Sequence, residues 1–342
     1  MLLTFYTFIN NKLVFASIMK QSKIAILAII VIIPLISVIL WSNENTTNLE
    51  TSEDELQVYV SFYPLYETTQ AVIGQKADVK ILTPPNIDPH DFDPSIKVIQ
   101  EMKTADLIVL NGGGFESWIS NMELDSDQLL DSSNGISFLK TEAVDHHEEH
   151  DEHDEHAKED EHDEHDEHGV ASDPHIWLNP NLVKIQVKNI AERLSEIDPE
   201  NSKSYNENAL QYIEKLELLD LQIREELSSC SKKDFITFHN AFSYFSDEYG
   251  LTQHTITKGV HDHSATPTAK SIEDVIDLAK ELNLSVIFAE DTSDIRISQV
   301  IADEIGADVL ILSPVATEDV ENKNYFERMQ QNASNLKKAL CN

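Results

Sequence analysis

The stretch DPENSKSYNENALQYIEKLELLDLQIREEL, residues 198–227, decides how the rest of the chain is organised. Asp198 and Pro199 have the pattern of a helix N-cap followed by proline at the first helical position. Apolar residues then recur at steps of three or four, at Tyr205, Ala209, Tyr212, Leu216, Leu219, Ile223 and Leu227. This spacing predicts one helix of roughly 28 residues, which at 1.5 Å per residue spans about 40 Å. We therefore expect a rigid strut between the regions on either side.

Short β-rich runs alternate with helical patterns on both sides of this strut. Before it, the predicted strands are 58–62, 79–83 and 107–114, and the predicted helices are 64–74, 94–104 and 181–197. After it, the predicted strands are 234–239, 252–257, 285–290 and 308–314, and the predicted helices are 240–249, 268–282, 295–305 and 323–340. Such alternation is typical of parallel βαβ units. The predicted fold class is α/β, with two (β/α) Rossmann-like lobes joined by a long helix and a ligand site in the cleft between them.

This pattern divides the chain into four expected segments. They are an N-terminal segment 1–55, a first βα lobe 56–197, a linking helix 198–229 and a second βα lobe 230–342. At 342 residues with 41% apolar composition, the chain can form cores of ordinary size in both lobes.

The N-terminal segment contains an uncharged apolar run at residues 24–41. Its length is close to that needed to cross a bilayer, and Lys20 and Lys23 before it predict that the rest of the chain lies outside the membrane. An uncleaved anchor is favoured over a cleaved secretory signal, because the run is long and no A-x-A site follows it. Cleavage would leave a secreted protein. The absence of a cysteine after the run excludes a bacterial-type lipid anchor.

The charge of the chain excludes one class of partner. The formal net charge is −36, of which the run DHHEEHDEHDEHAKEDEHDEHDEH, residues 145–168, carries −13. The remaining −23 still disfavours nucleic acid and anionic lipid and favours cations. The run holds eight of the 14 histidines and no residue that could form a core, so we expect a mobile loop that captures several metal ions weakly. Capture should weaken as the imidazoles protonate near their ordinary pKa of about 6.5.

Three further histidines occupy equivalent positions, each beyond a predicted strand or in the turn that opens a helix. His90 lies in PPNIDPHDFDPS, His175 in DPHIWLNP and His239 in TFHNAF. Prolines make the first two loops short and rigid. One such histidine is usually a surface or core residue, but three in matching positions, beside a His-rich run, indicate a metal site with His90, His175 and His239 as ligands.

These motifs resemble those of the metal-binding proteins of zinc and manganese ABC importers, especially the high-affinity zinc uptake branch. The resemblance covers about residues 56–340 and includes Asn111-Gly112-Gly113-Gly114 ahead of Phe115-Glu116. It implies an extracytoplasmic protein, not an enzyme, that captures zinc(II) and delivers it to an ABC permease and its ATPase. Manganese-selective relatives carry Glu at the position of His239, so His239 favours zinc, as do neutral imidazoles in a tetrahedral site.

The resemblance leaves the fourth ligand open. Relatives place a carboxylate three residues after the Ser-Pro that ends the last strand, and here that position is Ala316. The alternatives are Glu318, a water or a histidine from a mobile loop, with His261 and His263 as weaker candidates. Glu290 and Asp291, which end another strand, are expected to be supporting or structural acids.

Three other functions remain as alternatives: an importer component for manganese or another divalent metal, a zinc-dependent hydrolase, and a surface metal buffer. No HExxH motif or base and oxyanion constellation supports a hydrolase. Cys230 and Cys341 could form a disulfide, which the sequence leaves open. Because a long helix resists bending, we expect metal exchange to move the ligand loops without a large hinge motion.

Overall fold

In the computed structural model, residues 56–85, 87–140, 172–257, 267–291 and 295–341 are described. They belong to one compact unit, Leu56–Asn342. The predicted N-terminal anchor 24–41, the His-rich run 145–168, His261 and His263 lie outside the described residues. Among the described helices, none is long and apolar enough to cross a membrane.

Within the described residues, eight short strands form three parallel sheets. They are β1 (Val58–Val60), β2 (Val79–Ile81), β3 (Leu107–Leu110), β4 (Leu129–Asp131), β5 (Asp234–Thr237), β6 (Thr252–Thr255), β7 (Val286–Ala289) and β8 (Asp308–Ile311). The first four make one sheet of order β2-β1-β3-β4, in which Val58 pairs with both Val79 and Leu107. In the second half, β5 pairs with β6 and β7 pairs with β8. The α/β class with parallel strands is confirmed.

Eight α-helices are described. They are α1 (Tyr63–Ile73), α2 (Ile96–Met102), α3 (Pro180–Ile197), α4 (Ser202–Leu227), α5 (Ser243–Tyr249), α6 (Ala269–Glu281), α7 (Ile295–Ile305) and α8 (Tyr325–Leu340). The predicted helices match these within a few residues. Helix α3 begins as expected, because the Asn179 side chain accepts a hydrogen bond of 2.8 Å from the Asn181 N–H and Pro180 occupies the first position.

The strands are shorter than predicted, and β4 was missed. The predicted strand 107–114 ends at Leu110, because Gly112, Gly113 and Gly114 all have positive φ and turn the chain out of the sheet. Strand β4 has only three residues, which is too few for an alternating pattern to be read from the sequence.

The strut is helix α4, and it starts later than predicted. Residues Pro199–Asn201 form a 3₁₀ turn, so the α-helix begins at Ser202 and spans 26 residues, about 39 Å. Asp198 does not cap it; its carboxylate instead accepts hydrogen bonds from Asn201 Nδ2 at 2.7 Å and Tyr205 Oη at 2.5 Å. The seven apolar residues predicted to face inward are all buried, which confirms the periodicity.

Helix α4 packs against α1 and α3 of the first half and α8 of the second. As a result, the largest apolar cluster does not stop at the boundary between the halves. It runs from Val58 and Phe62 through Trp177 and Leu216 to Phe288. A smaller cluster lies in each half, one around Met102 and Ile108 and the other around Ile236 and Ile301. Bending the halves apart would therefore open a shared core.

A disulfide joins the end of the strut to the end of the last helix. Cys230 follows α4 and Cys341 follows α8, with a sequence separation of 111 residues. This pairing, left open by the sequence, is the kind found in oxidising compartments. It closes a loop that contains the whole second half.

Replacing both cysteines by serine should lower the free energy of unfolding by about 2–4 kcal/mol, because the unfolded chain regains the entropy that the long loop removes. Denaturant unfolding of Cys230→Ser/Cys341→Ser, beside the native protein with and without reductant, measures this. Equal midpoints for variant and oxidised native protein would contradict it.

Candidate metal centre

The three predicted ligands lie at the carboxyl edge of their strands or at the start of a helix. His90 lies in the 3₁₀ turn Pro89–Asp91 after β2, and His239 follows β5 by two residues. His175 caps the 3₁₀ turn Ile176–Leu178, which leads into α3. His175 and His239 are buried, with exposures of 0% and 3%, and His90 is half-buried.

The structure brings these three side chains together. One ring nitrogen from each lies within 4.8 Å of the others, and no other described His, Cys, Asp or Glu joins such a group. The Nε2 atoms of His90 and His175 are 3.2 Å apart. A tetrahedral zinc ion with Zn–N bonds of about 2.0–2.1 Å separates two ligand nitrogens by roughly 3.3–3.4 Å. The spacing of this pair therefore fits a zinc ion.

The same triplet, Asp-Pro-His, shapes two of the ligand turns. In Asp88-Pro89-His90 and in Asp173-Pro174-His175, the aspartate side chain accepts a hydrogen bond of 3.0 Å from the N–H of the histidine two residues on. This is the turn that Asp favours through its short side chain, and proline fixes φ at its centre. The repeated Asp-Pro-His triplet is a sequence pattern that indicates these supporting aspartates, which are absent from the predictions above.

Asp173 also orients the ring of His175. Its Oδ1 lies 2.8 Å from His175 Nδ1, and both residues are 0% exposed. Because a carboxylate only accepts, Nδ1 carries the proton and the lone pair for a metal is on Nε2. Burial lowers the pKa of His175. Burial alone would raise the pKa of Asp173, but the adjacent His175 holds it below its ordinary value. The pair therefore consists of a neutral imidazole and an ionised carboxylate.

Glu290, directly after β7, does the same for His239. Its Oε2 lies 2.6 Å from His239 Nδ1, and its Oε1 accepts a hydrogen bond of 3.0 Å from the His239 N–H. The expectation that Glu290 is a supporting acid is confirmed. Both buried histidines thus have a carboxylate bound at Nδ1, the arrangement that raises the basicity of Nε2 in imidazoles that bind a metal.

His90 is held by aromatic packing. Its ring lies edge-on to Phe115, with centroids 4.7 Å apart, and Phe115 packs against Phe62 at 4.7 Å and Trp177 at 5.3 Å. In the loop before Phe115, Gly113 lies against the Phe138 ring, where a Cβ would come within 2.3 Å of it. The aromatic side chains give the cluster an apolar wall.

The buried carboxylate of Glu116 holds the loop before it, residues 111–115, in place. Its carboxylate accepts hydrogen bonds from Ser61 Oγ at 2.6 Å, Asn111 N–H at 2.7 Å and Gly112 N–H at 3.1 Å. Asn111 in turn donates from Nδ2 to the Pro174 carbonyl at 2.9 Å, next to His175. Burial raises the pKa of Glu116 to about 7. In the sequence, Glu116 stands out only as the end of the motif that begins at Asn111.

Other predicted acids lie away from the cluster. Glu318 lines a small pocket with Tyr63 and Ala316, and the structure does not bring it to the histidines. Asp291 pairs with Arg328, whose Nη2 lies 2.7 Å from Asp291 Oδ2, so it is a structural acid as expected.

Comparison with known proteins gives a consistent result. The model of the family ZnuA, zinc-uptake complex component A, periplasmic, matches residues 58–339. The high-affinity zinc uptake system protein ZnuA of Bacillus subtilis is 35% identical over 299 residues, which cover 85% of this chain and 89% of that protein. The zinc-binding protein AdcA of Streptococcus pyogenes is 32% identical, and the match covers 84% of this chain but 56% of AdcA. A crystal structure of a ZnuA deletion mutant with zinc bound is 29% identical, with a TM-score of 0.68 and coverage of 84% of this chain and 99% of that one.

Asp173→Asn and Glu290→Gln should each weaken zinc binding by about 10- to 100-fold, because the amide keeps the shape but loses the charge that supports the imidazole. Competition with a chromophoric chelator measures this. The matched control is Asp234→Asn, since Asp234 also pairs with a histidine, His254, at 2.9 Å but outside the cluster. Affinities equal to that of the control would contradict the role of both carboxylates.

Glu116 should make stability depend on pH. The pKa of Glu116 is raised from its ordinary value of 4.5 to about 7. Between these two pH values the folded protein keeps a proton that the unfolded chain has lost, so the free energy of unfolding falls as pH rises through this window. The slope is at most about 1.4 kcal/mol per pH unit. In Glu116→Gln this contribution is absent. Denaturant unfolding of both proteins at several pH values measures the difference between their free energies of unfolding. A difference that does not change with pH would refute the prediction.

Proposed function

Because the chain belongs to the family of periplasmic zinc-uptake complex component A proteins, we propose that it binds zinc between His90, His175 and His239 and delivers it to an ABC permease driven by its ATPase. The chain is a zinc-binding component of zinc import, not an enzyme. Zinc is its cargo, and the proposal concerns where the ion is held.

The convergence of three imidazole nitrogens within 4.8 Å carries this proposal. Neutral nitrogen donors suit zinc, whereas manganese prefers more oxygen ligands. The two buried carboxylates, Asp173 and Glu290, accept hydrogen bonds from Nδ1 of their histidines. They therefore support the proposed ligands and do not serve as ligands themselves. These observations favour zinc over manganese as the cargo.

The fourth ligand in this proposal is a water or a histidine from a loop outside the cluster. Glu318 is the weaker alternative, because it lies in the pocket beside Tyr63 and not with the three imidazoles. His261 and His263 remain candidates from the sequence.

The His-rich run 145–168 is proposed as a collector that raises the local zinc concentration. A ZnuA deletion mutant was crystallised with zinc bound, so a protein similar to this chain binds zinc after an internal deletion. The run ends at His168, only seven residues before His175, so captured ions would have a short path along the chain to the cluster. The proposed role is kinetic, and the tight site lies elsewhere.

The protein acts outside the cytoplasm, in keeping with its family and with the Cys230–Cys341 disulfide. We propose that residues 24–41 anchor it to the membrane, with Lys20 and Lys23 on the cytoplasmic side. A membrane-bound carrier would release zinc close to the permease.

Two variants separate the site from the collector. His175→Ala should abolish tight zinc binding, because it removes the most deeply buried ligand, whereas deletion of residues 145–168 should leave one tight zinc per chain. Isothermal titration calorimetry on both measures stoichiometry and affinity.

His254→Ala is the matched control, since His254 pairs with Asp234 outside the cluster, and it should bind zinc as the native protein does. Tight zinc binding by the His175→Ala variant would contradict the proposed site. Loss of all tight binding on deletion of the run would favour a surface metal buffer instead. Zinc-dependent ester or peptide hydrolysis by the native protein would reopen the hydrolase alternative.

A further inference from the structure

The hydroxyl of Tyr244 lies where three segments of the chain meet. Tyr244 is the second residue of α5, five residues after His239, and it is 4% exposed. Its Oη donates to the Asp173 carbonyl at 2.7 Å and accepts from the Leu139 N–H at 2.9 Å. Burial raises the pKa of Tyr244 to about 12, so the neutral hydroxyl makes both bonds at once.

Leu139 and Asp173 form the stem of the segment that contains the His-rich run. The Asp173 N–H donates to the Leu139 carbonyl at 2.9 Å, and Lys140 pairs with Ser172 in an antiparallel bridge. The Tyr244 hydroxyl therefore adds two hydrogen bonds, from another part of the chain, to a short two-stranded stem. A pair of strands this short is marginal alone, so the tyrosine bonds contribute to fixing it.

Asp173 is also the residue whose carboxylate aligns His175. Its Oδ1 accepts from both the His175 N–H at 3.0 Å and Nδ1 at 2.8 Å. Holding the Asp173 peptide group thus limits rotation of the carboxylate and, through it, of the imidazole. Tyr244 does not touch His175 in this scheme; it acts on the backbone that carries the supporting acid.

On its other side, Tyr244 is tied to the loop of His239. Gln253 Nε2 donates to the His239 carbonyl at 2.9 Å and to Thr237 Oγ1 at 2.6 Å. Gln253 Oε1 accepts from the Phe242 N–H at 3.0 Å. One glutamine on β6 therefore binds the strand end, the ligand loop and the residue that precedes α5, so that His239 and Tyr244 are held in one unit.

We propose that Tyr244 is a positioning residue for the zinc site, because its hydroxyl joins the His239 unit to Asp173 and so fixes the separation of the two buried ligands. The inference rests on the trihistidine site proposed above. Loss of the hydroxyl leaves the Asp173 carbonyl and the Leu139 N–H without this partner, while the ring still fills its place in the core. The ligands then have to be ordered by the metal itself, and zinc dissociates faster.

Tyr244→Phe tests this. The zinc dissociation rate, followed by transfer to excess chelator, should rise about three- to tenfold. A change of this size corresponds to the net free energy that a typical hydrogen bond contributes. The association rate should stay the same, since the approach to the site is unaltered. The visible absorption of the cobalt(II)-substituted protein should also change, because it reports the ligand geometry.

Tyr212→Phe is the matched control. Tyr212 is buried in the strut, and its hydroxyl has no hydrogen-bond partner among the described residues, so the same chemical change removes no bond. Its dissociation rate and cobalt spectrum should equal those of the native protein. Equal rates and spectra for Tyr244→Phe and Tyr212→Phe would overturn the inference.

A purely structural role makes a different prediction. In that case Tyr244→Phe would lower the melting temperature of the metal-free protein and leave the dissociation rate unchanged, which also contradicts positioning. His175→Ala separates this inference from the proposed function: if that variant keeps tight zinc, the site itself is wrong. If it loses zinc while Tyr244→Phe matches its control, only the role of Tyr244 fails.

Discussion

Two buried histidine–carboxylate pairs are the interaction on which the rest of the structure depends. Asp173 and Glu290 each bind both the main-chain N–H and the Nδ1 of one histidine, His175 and His239 respectively. A buried carboxylate is costly unless its hydrogen bonds are satisfied, and here the ligand histidines supply them. In return, each carboxylate sets the tautomer and the direction of its imidazole. The protein's own hydrogen bonds therefore fix the orientation of these two imidazoles.

The fold holds the two pairs at a fixed separation. One apolar cluster extends from β1 through helix α4 to β7, so the two halves share a core. The disulfide between Cys230 and Cys341 adds a covalent tie at the far ends of α4 and α8. A shared core and a covalent tie resist bending between the halves, and metal exchange without a large hinge motion stays a prediction.

We propose that capture and retention of zinc lie in different parts of the chain. The run 145–168 is rich in histidine and acidic residues, a composition that attracts cations. The buried cluster has few ligands and a defined geometry, with an apolar wall made by Phe115 and its neighbours. Such a wall lowers the local polarity and strengthens the electrostatic interaction between the ion and the imidazoles. The run ends at His168, seven residues before His175, so these two parts of the chain lie close together in the sequence.

The sequence by itself determined the α/β class, the periodicity of α4, most helix bounds and the three histidines that converge. These features are local: apolar spacing, proline turns and residue type are written in short windows of sequence. Strand β4, the late start of α4 at Ser202, the Cys230–Cys341 pairing and the absence of Glu318 from the cluster were decided only by the tertiary structure. So was the role of Tyr244, whose partners lie 71 and 105 residues away in the sequence. Its importance arises from which distant groups the core brings within hydrogen-bonding distance, and no local pattern encodes that distance.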